Sequence, residues 1–490
     1  MKKFILTATI IIFLLLCWRC REETFYTEPG AVLSFSTDTV SFDTVFSAVG
    51  SATLGFKVYN PHNKPVKISS VYLGGGESSF YRMNFDGEPV REIDNVEIPP
   101  KDSLFVFIEV TVDPLGINNP LIVKDSVIFI TNGTYQDIKL IAYGQDVHLI
   151  KGKIIETTTW TADKPYLIYN SMAVDTGHTL TIEPGVMVFL HNQSSVVVWG
   201  KIIVNGTKET PVIFQGDRLE EDYRIVAGQW GTLYIDPIST GNVINYAIIR
   251  NSIAGIQIGY PTENIRPSLE LKNTIIQNIS FAGIYAFGAE INCYNTVISN
   301  GGEYLIALLK GGKYNFSHCT FANYGISHFG GQIAGSRSNP SIVLTNFFNN
   351  PEYDPSKGKY VYVMRTGDLD EATFANTIIY GTLNNELFFA DNKENAFNYY
   401  FNHCLVTENK DSLDFSDPVH FNAILLNKYP EFVNDTDRFE LNFRLDTLSP
   451  VKDSGSVDVI TNPYLGIDYD GTSRLLDSGP DLGAFERKED

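Results

Sequence analysis

Arg365, Asp368, Asp370 and Glu371 are the one compact mixed-charge group in the middle of this chain. An acid able to accept a proton beside an arginine able to neutralise a carboxylate is the equipment of an elimination reaction. The same four residues also read as a solvated loop ahead of a strand at Thr377, and the spacing favours that plainer reading. The run Asp217-Arg-Leu-Glu-Glu-Asp-Tyr-Arg224 reads as a surface excursion and Trp230 as a core residue at a corner. Asp468-Tyr-Asp-Gly471 alternates carboxylates like a calcium loop but lacks the later bidentate acid, so it reads as a turn. The eight histidines show neither metal-ligand nor Ser/His/Asp spacing. No glycine loop follows a strand and opens a helix to cradle phosphate. No metal or cofactor is expected, and an enzyme is the minority expectation.

The elements that would position such residues recur. Apolar pairs centred on Ile249, Ile276, Ile298, Phe321, Phe348, Ile379 and Val406 are spaced by 22 to 31 residues, and five are followed by Asn251, Asn278, Asn300, Asn323 and Asn350. One short strand and one polar turn per unit describe stacked coils of a solenoid. Period-two alternation then assigns an inward column of Ala247, Thr274, Thr296, Cys319, Asn346, Thr377 and Cys404, and makes the asparagines a mutually bonded turn ladder. In that register Cys319 and Cys404, like His318 and His403, stand three coils apart. At about 4.8 Å per coil the two thiols are too distant for a disulfide. Cys293 has no evident partner in register. The outward positions, running from Tyr246, Ile248 and Arg250 to His403, Leu405 and Thr407, contain no Asp or Glu.

Composition narrows the partners. A formal charge of −20 argues against a nucleic-acid surface, because phosphate contacts need Lys and Arg. Lys2 and Lys3 precede an apolar run over residues 4–16 that is too short to cross a bilayer, which is the layout of an export signal. Cys17 and Cys20 follow, and Arg21, Glu22 and Glu23 begin polar sequence directly after Cys20. This start resembles the lipoproteins of Bacteroidota-type bacteria. The resemblance implies a signal over residues 1–19, a tether over 20–29 and lipid on Cys20, with Cys17 the alternative. It implies a protein held in the cell envelope, at the outer membrane, by its lipid.

Residues 30–147 alternate in short strands separated by turn clusters such as Asn60-Pro-His-Asn63, Gly74-Gly-Gly76 and Asn132-Gly133, the pattern of an immunoglobulin-type β-sandwich. The run Phe56-Lys-Val-Tyr-Asn-Pro61 is similar to domains related to those of ciliary and centrosomal proteins, which act as spacers or caps. Asp-Ser/Thr-apolar triplets place Thr39, Thr44, Ser103, Ser126, Ser412 and Thr447 after aspartate. They are similar to the O-glycosylation sequon of exported Bacteroidota proteins, although strand edges also generate them.

Residues 179–189, 196–207, 210–214 and 228–234 are strand-like runs broken by glycine turns, and Pro480-Asp-Leu-Gly-Ala-Phe-Glu486 lies near the end of the chain. In that order they resemble the right-handed parallel β-helix proteins over residues 150–486. The fold expected is therefore all-β: an N-terminal sandwich, then a right-handed parallel β-helix. The resemblance implies a groove on one sheet face, which lyases and hydrolases of this fold line with acids. The face assigned above has none. A non-catalytic surface binding or structural module is the expectation, touching glycans through exposed Tyr and Asn. A polysaccharide lyase or glycoside hydrolase, and a scaffold for another envelope protein, are the alternatives.

Overall fold

The computed structural model describes residues 24–47, 49–112, 121–326 and 337–488; Cys17, Cys20 and His328 lie outside them. The chain divides into two compact units, residues 1–146 and 147–490.

The first unit is a sandwich of two five-stranded sheets. One orders Ser34–Phe35, Leu54–Tyr59, Ser103–Val110, Tyr81–Phe85 and Glu88–Val90; the other orders Thr39–Phe46, Thr134–Gln145, Leu121–Thr131, Val66–Leu73 and Glu92–Ile98. Alternation decides which side chains fill it. Ser103–Val110 buries Val106, Ile108 and Val110 and exposes Phe105 and Phe107. At the turn after Tyr59, the buried Asn60 amide donates to the carbonyls of Lys64, Ile98 and Pro99 and so closes the loop from inside.

In the second unit 25 strands form one continuous parallel sheet wound into coils, a parallel β-helix. The all-β expectation, sandwich followed by β-helix, holds. Through most of the helix each strand pairs with the strand one coil later: Ile249 with Ile276, Ile276 with Ile298, Ile298 with Phe321, Phe321 with Ile379, Ile379 with Val406 and Val406 with Leu426. All but the last of these are fully buried, each worth about 1.5–3 kcal/mol of transfer free energy. Phe316, Phe374 and Phe401 stack face to face in the neighbouring inward column, with ring centroids 4.9 and 4.6 Å apart.

The register corrects one coil of the sequence reading. Phe348 does not join the column. It lies in Phe347–Asp354, which pairs antiparallel with Lys359–Thr366 as a hairpin. A two-stranded ribbon also alternates polar and apolar residues, so its Phe-Phe-x-Asn imitates a coil. Cys319 and Thr377 are therefore register neighbours despite a separation of 58 residues, and Thr377 pairs with Cys404. Cys319 and Cys404 stand two coils apart, about 10 Å at the usual strand spacing, and His318 and His403 likewise. Cys293, read as partnerless, meets Cys319 instead, sulfur to sulfur at 3.8 Å around a corner of the coil. Both thiols are free and buried.

Corners need left-handed backbone, and the sequence supplies residues that tolerate it. Asn251, Asn278 and Asn300 have φ of 67°, 57° and 55°. The Asn300 amide donates to the Asn278 carbonyl at 3.3 Å, and the Asn323 carbonyl accepts from Gly301 and Gly325. Asn350 stands apart from this column: it lies on the hairpin and donates to Glu352. A second row, Asn245, Asn273 and Asn295, is bonded amide to amide at 2.9 and 3.1 Å.

Candidate functional site

The residues with elimination chemistry in their types are not brought together as one device. Arg365, on the hairpin, donates through Nε and Nη2 to Glu352 at 2.8 and 2.5 Å. Asp368 accepts from the Asn395 amide and the Ala396 backbone, both at 3.0 Å, and Asp370 from Arg266 at 2.6 Å. Each is already engaged by a different partner.

The carboxylate-free face has a structural explanation. Val297, Ala322, Ile378 and Leu405 are buried beneath Phe432, Phe443, Leu445, Val451, Leu482 and Phe485 of the C-terminal segment. What reads from the sequence as an outward catalytic face is an internal interface, and acids are missing from it because burial would penalise them. The segment is locked by charge. Arg474 and Glu486 pair at 2.6 Å with almost no exposure, Arg474 also donates to Asn295 and to the Gly483 carbonyl, and Glu486 accepts from the Asp481 backbone. The Asp468 carboxylate accepts from the amides of Thr472 and Glu486, while Asp470 receives Arg444 through two bonds of 2.6 and 2.8 Å. The 468–471 loop thus spends its carboxylates inside the chain. Burial raises the Glu486 carboxyl to about 8, outweighing the pull of Arg474. His318, wholly buried beside this cluster, is pushed well down by desolvation and by Arg474.

Of the triplet residues, Thr39, Thr44, Ser103 and Ser126 are half-buried, and Ser412 and Thr447 are exposed. Asp43, Asp102, Asp125 and Asp446 each accept the backbone N–H of the residue that follows. Those aspartates act as local caps. Ser412 donates to Glu408 and to the Asn409 carbonyl, and Thr447 accepts from Arg487.

An open face remains on another sheet of the helix. There Asn292, Asn315, Thr373 and Tyr400 stand in one register column, and Tyr294, Ser317, Ala375 and Asn402 in the next. Alternation turns them outward because Phe316, Phe374 and Phe401 occupy the inward positions. With Asp458, Thr461 and Asn462 of the C-terminal segment as a wall, they line a groove of about 460 Å³. Asn315 donates to Asn292 at 3.2 Å and Asn422 to Asn402 at 2.8 Å, giving one amide pair in each column. Beside it the Tyr294 hydroxyl donates to Glu270 at 2.9 Å, Lys272 bridges to Glu270 at 2.5 Å, and the Lys272 ammonium lies 4.8 Å over the Tyr464 ring. Lys272 and Tyr294 hold the Glu270 carboxyl below its ordinary range against the opposing effect of burial, which is the largest single influence. His403 is depressed by desolvation, with Asp458 acting against it.

The hairpin offers a second surface: Tyr353, Tyr360, Tyr362 and Met364 share its open face, all more than half exposed. Sequence reasoning missed the groove because its residues precede the apolar pairs by one strand. The signal was present as the column Asn292, Asn315, Thr373, Tyr400, which alternates against Cys293, Phe316, Phe374 and Phe401.

With this geometry in hand, a family model described as a pectate-lyase like beta helix domain matches residues 152–255. No curated protein matches the chain. Among solved structures, the chain is similar to the catalytic unit of a thermostable GH87 alpha-1,3-glucanase from Streptomyces thermodiastaticus, 9% identical over 72% of this chain and 77% of that one, TM-score 0.21. It is also similar to a family 123 glycoside hydrolase from Clostridium perfringens, 9% identical over 24% and 26% of the two chains, TM-score 0.17. A third, an alkylpurine DNA glycosylase from Pseudomonas fluorescens, is 9% identical over 23% and 30%, TM-score 0.15. The last two are matched over less than a third of their length. At these scores none of the three bears on activity; the family match adds to the fold.

Proposed function

We propose that this chain is an exported, lipid-anchored cell-envelope protein whose β-helix binds glycan without transforming it. One observation carries the reading: an open groove of about 460 Å³ lined by side-chain amides, hydroxyls and two tyrosines. Sugar hydroxyls both donate and accept, which matches amide and hydroxyl groups, and an aromatic ring offers the flat apolar face that a pyranose stacks on. The anchor is lipid on Cys20. Affinity electrophoresis of the mature chain through gels cast with envelope and plant polysaccharides tests the binding. Retardation in at least one gel, lost on Tyr400→Ala, supports it; free migration in all of them sinks it.

A second reading, a polysaccharide lyase or glycoside hydrolase, is favoured by one feature. Glu270 precedes Asn292 by one coil in the same register column, and Asp458 lines the groove wall, so the open face carries two carboxylates, the residue type that glycoside hydrolysis uses. Assays for new reducing ends and for unsaturated uronate products separate the two. Turnover abolished by Glu270→Gln or Asp458→Asn favours the enzyme.

A further inference from the structure

We infer that the groove accepts an uncharged glycan and rejects polyuronates, which rests on the glycan-binding reading and names its ligand class. The argument is one of charge placement. Glu290, Lys313 and Glu371 follow one another in a single register column at the edge of the open face. Lys313 therefore stands between two acidic positions in the register, with no ion pair to either within 4 Å among the described residues. Lys272, the other cation of the face, is already bridged to Glu270. Asp458, on the opposite wall, is exposed and makes no ion pair among the described residues.

A uronate chain laid in the groove would present a carboxylate at every sugar to a rim in which acids outnumber bases, on a chain of formal charge −20. Like charges placed together oppose binding, one of the two lysines is already bridged to an acid, and the other is flanked by two acids in its register column. Calcium could invert this by bridging two carboxylates. Among the described residues, however, no three His, Cys, Asp or Glu side chains gather as a metal site, so no ready-made cluster there would hold the ion.

The floor, by contrast, is neutral and complementary to hydroxyls. Asn315 gives one amide hydrogen to Asn292, and the Asn292 amide nitrogen, the Ser317 hydroxyl and the Tyr400 hydroxyl make no side-chain hydrogen bond with the described residues. Successive coils repeat every 4.8 Å or so, close to the length of one sugar residue in an extended chain. Neighbouring sugars would then meet neighbouring coils.

The test is calorimetric titration of the full mature chain with neutral hexasaccharides (cello-, manno-, laminari- and isomalto-series) and with hexagalacturonate, each with and without added calcium. The expected result is binding of at least one neutral ligand, with hexagalacturonate at least tenfold weaker in both conditions. The triple variant Glu290→Gln, Glu371→Gln, Asp458→Asn should narrow that gap, its circular dichroism unchanged. Hexagalacturonate bound as tightly as any neutral ligand, and lost on Tyr400→Ala, overturns the inference while leaving the groove a glycan site. A gap that the triple variant leaves intact overturns it too. Heat from no glycan at all removes the glycan-binding reading itself, and this inference with it.

Discussion

Arg474 and Glu486 are bonded at 2.6 Å inside the protein, with side-chain exposures of 0% and 3%, and this pair closes the last part of the segment that covers one face of the helix. Asp468, Asp481 and Asn295 complete the surroundings, so the charge of Arg474 balances several acids at once. Removing one member of such a buried, hydrogen-bonded group costs about 3–5 kcal/mol, because the polar atoms it served are left buried without partners. Arg474→Met should lower stability by that amount in urea denaturation. Arg218→Met, whose exposed bridge to Glu220 is worth about 0–1 kcal/mol, should be nearly silent.

The same cluster makes stability depend on pH. Glu486 titrates near 8 in the fold against an ordinary value of 4.5. Above the lower value the unfolded chain loses a proton that the fold retains. Its contribution is therefore fully present below about pH 4.5 and is lost as pH rises through 8. Asp468 and Asp481 are raised in the same sense by burial. His318, depressed from 6.5, acts oppositely, but on the acid side of that value. Between pH 6.5 and 8 melting temperature should fall as pH rises, and Glu486→Gln should flatten the slope.

Asn300 combines a left-handed corner at φ 55° with a ladder bond to Asn278 and a bond accepted from Arg438. Asn300→Ala loses both bonds and strains the corner, and should cost about 2–3 kcal/mol, of which about 1–2 is backbone strain. Asn300→Gly should recover much of the strain part. Asn350→Ala, on the hairpin, should cost less than about 0.5 kcal/mol. Equal losses at both positions would contradict the register.

Phe374 lies between Phe316 and Phe401, fully buried. Phe374→Ala should destabilise by about 3–5 kcal/mol in chemical denaturation, the usual range for emptying such a site.

For the anchor, Cys20→Ser should move the protein from the membrane to the soluble fraction, and Cys17→Ser should not. Retention of the Cys20→Ser chain with release of Cys17→Ser reassigns the site; retention of both removes the lipid.

The sandwich, the helix and most of its inward column were legible because burial imposes alternation, as in Gly312–Ser317, where Gly312, Tyr314 and Phe316 are buried between half-buried neighbours. Legibility failed where one local pattern has two causes. Phe347-Phe348 with Asn350 satisfies the coil repeat and the hairpin equally well, and local sequence cannot separate them. It failed again where burial depends on distant chain: the positions of Val297 and Ile378 are outward on their own strands and became interior once residues 432–485 folded over them. Glu290, Lys313 and Glu371, and Glu270 with Asp458, are far apart in sequence, so the groove's charge pattern emerges only after the coils are stacked.

Hydrogen–deuterium exchange of the mature chain, with and without a bound neutral oligosaccharide, tests most directly where ligand sits. The account predicts slowed exchange in Glu290–Tyr294, Gly312–Ser317 and residues 458–462, with the hairpin over Phe347–Asp354 and Lys359–Thr366 unchanged. Protection confined to that tyrosine-bearing hairpin, with none in the groove strands, would contradict it.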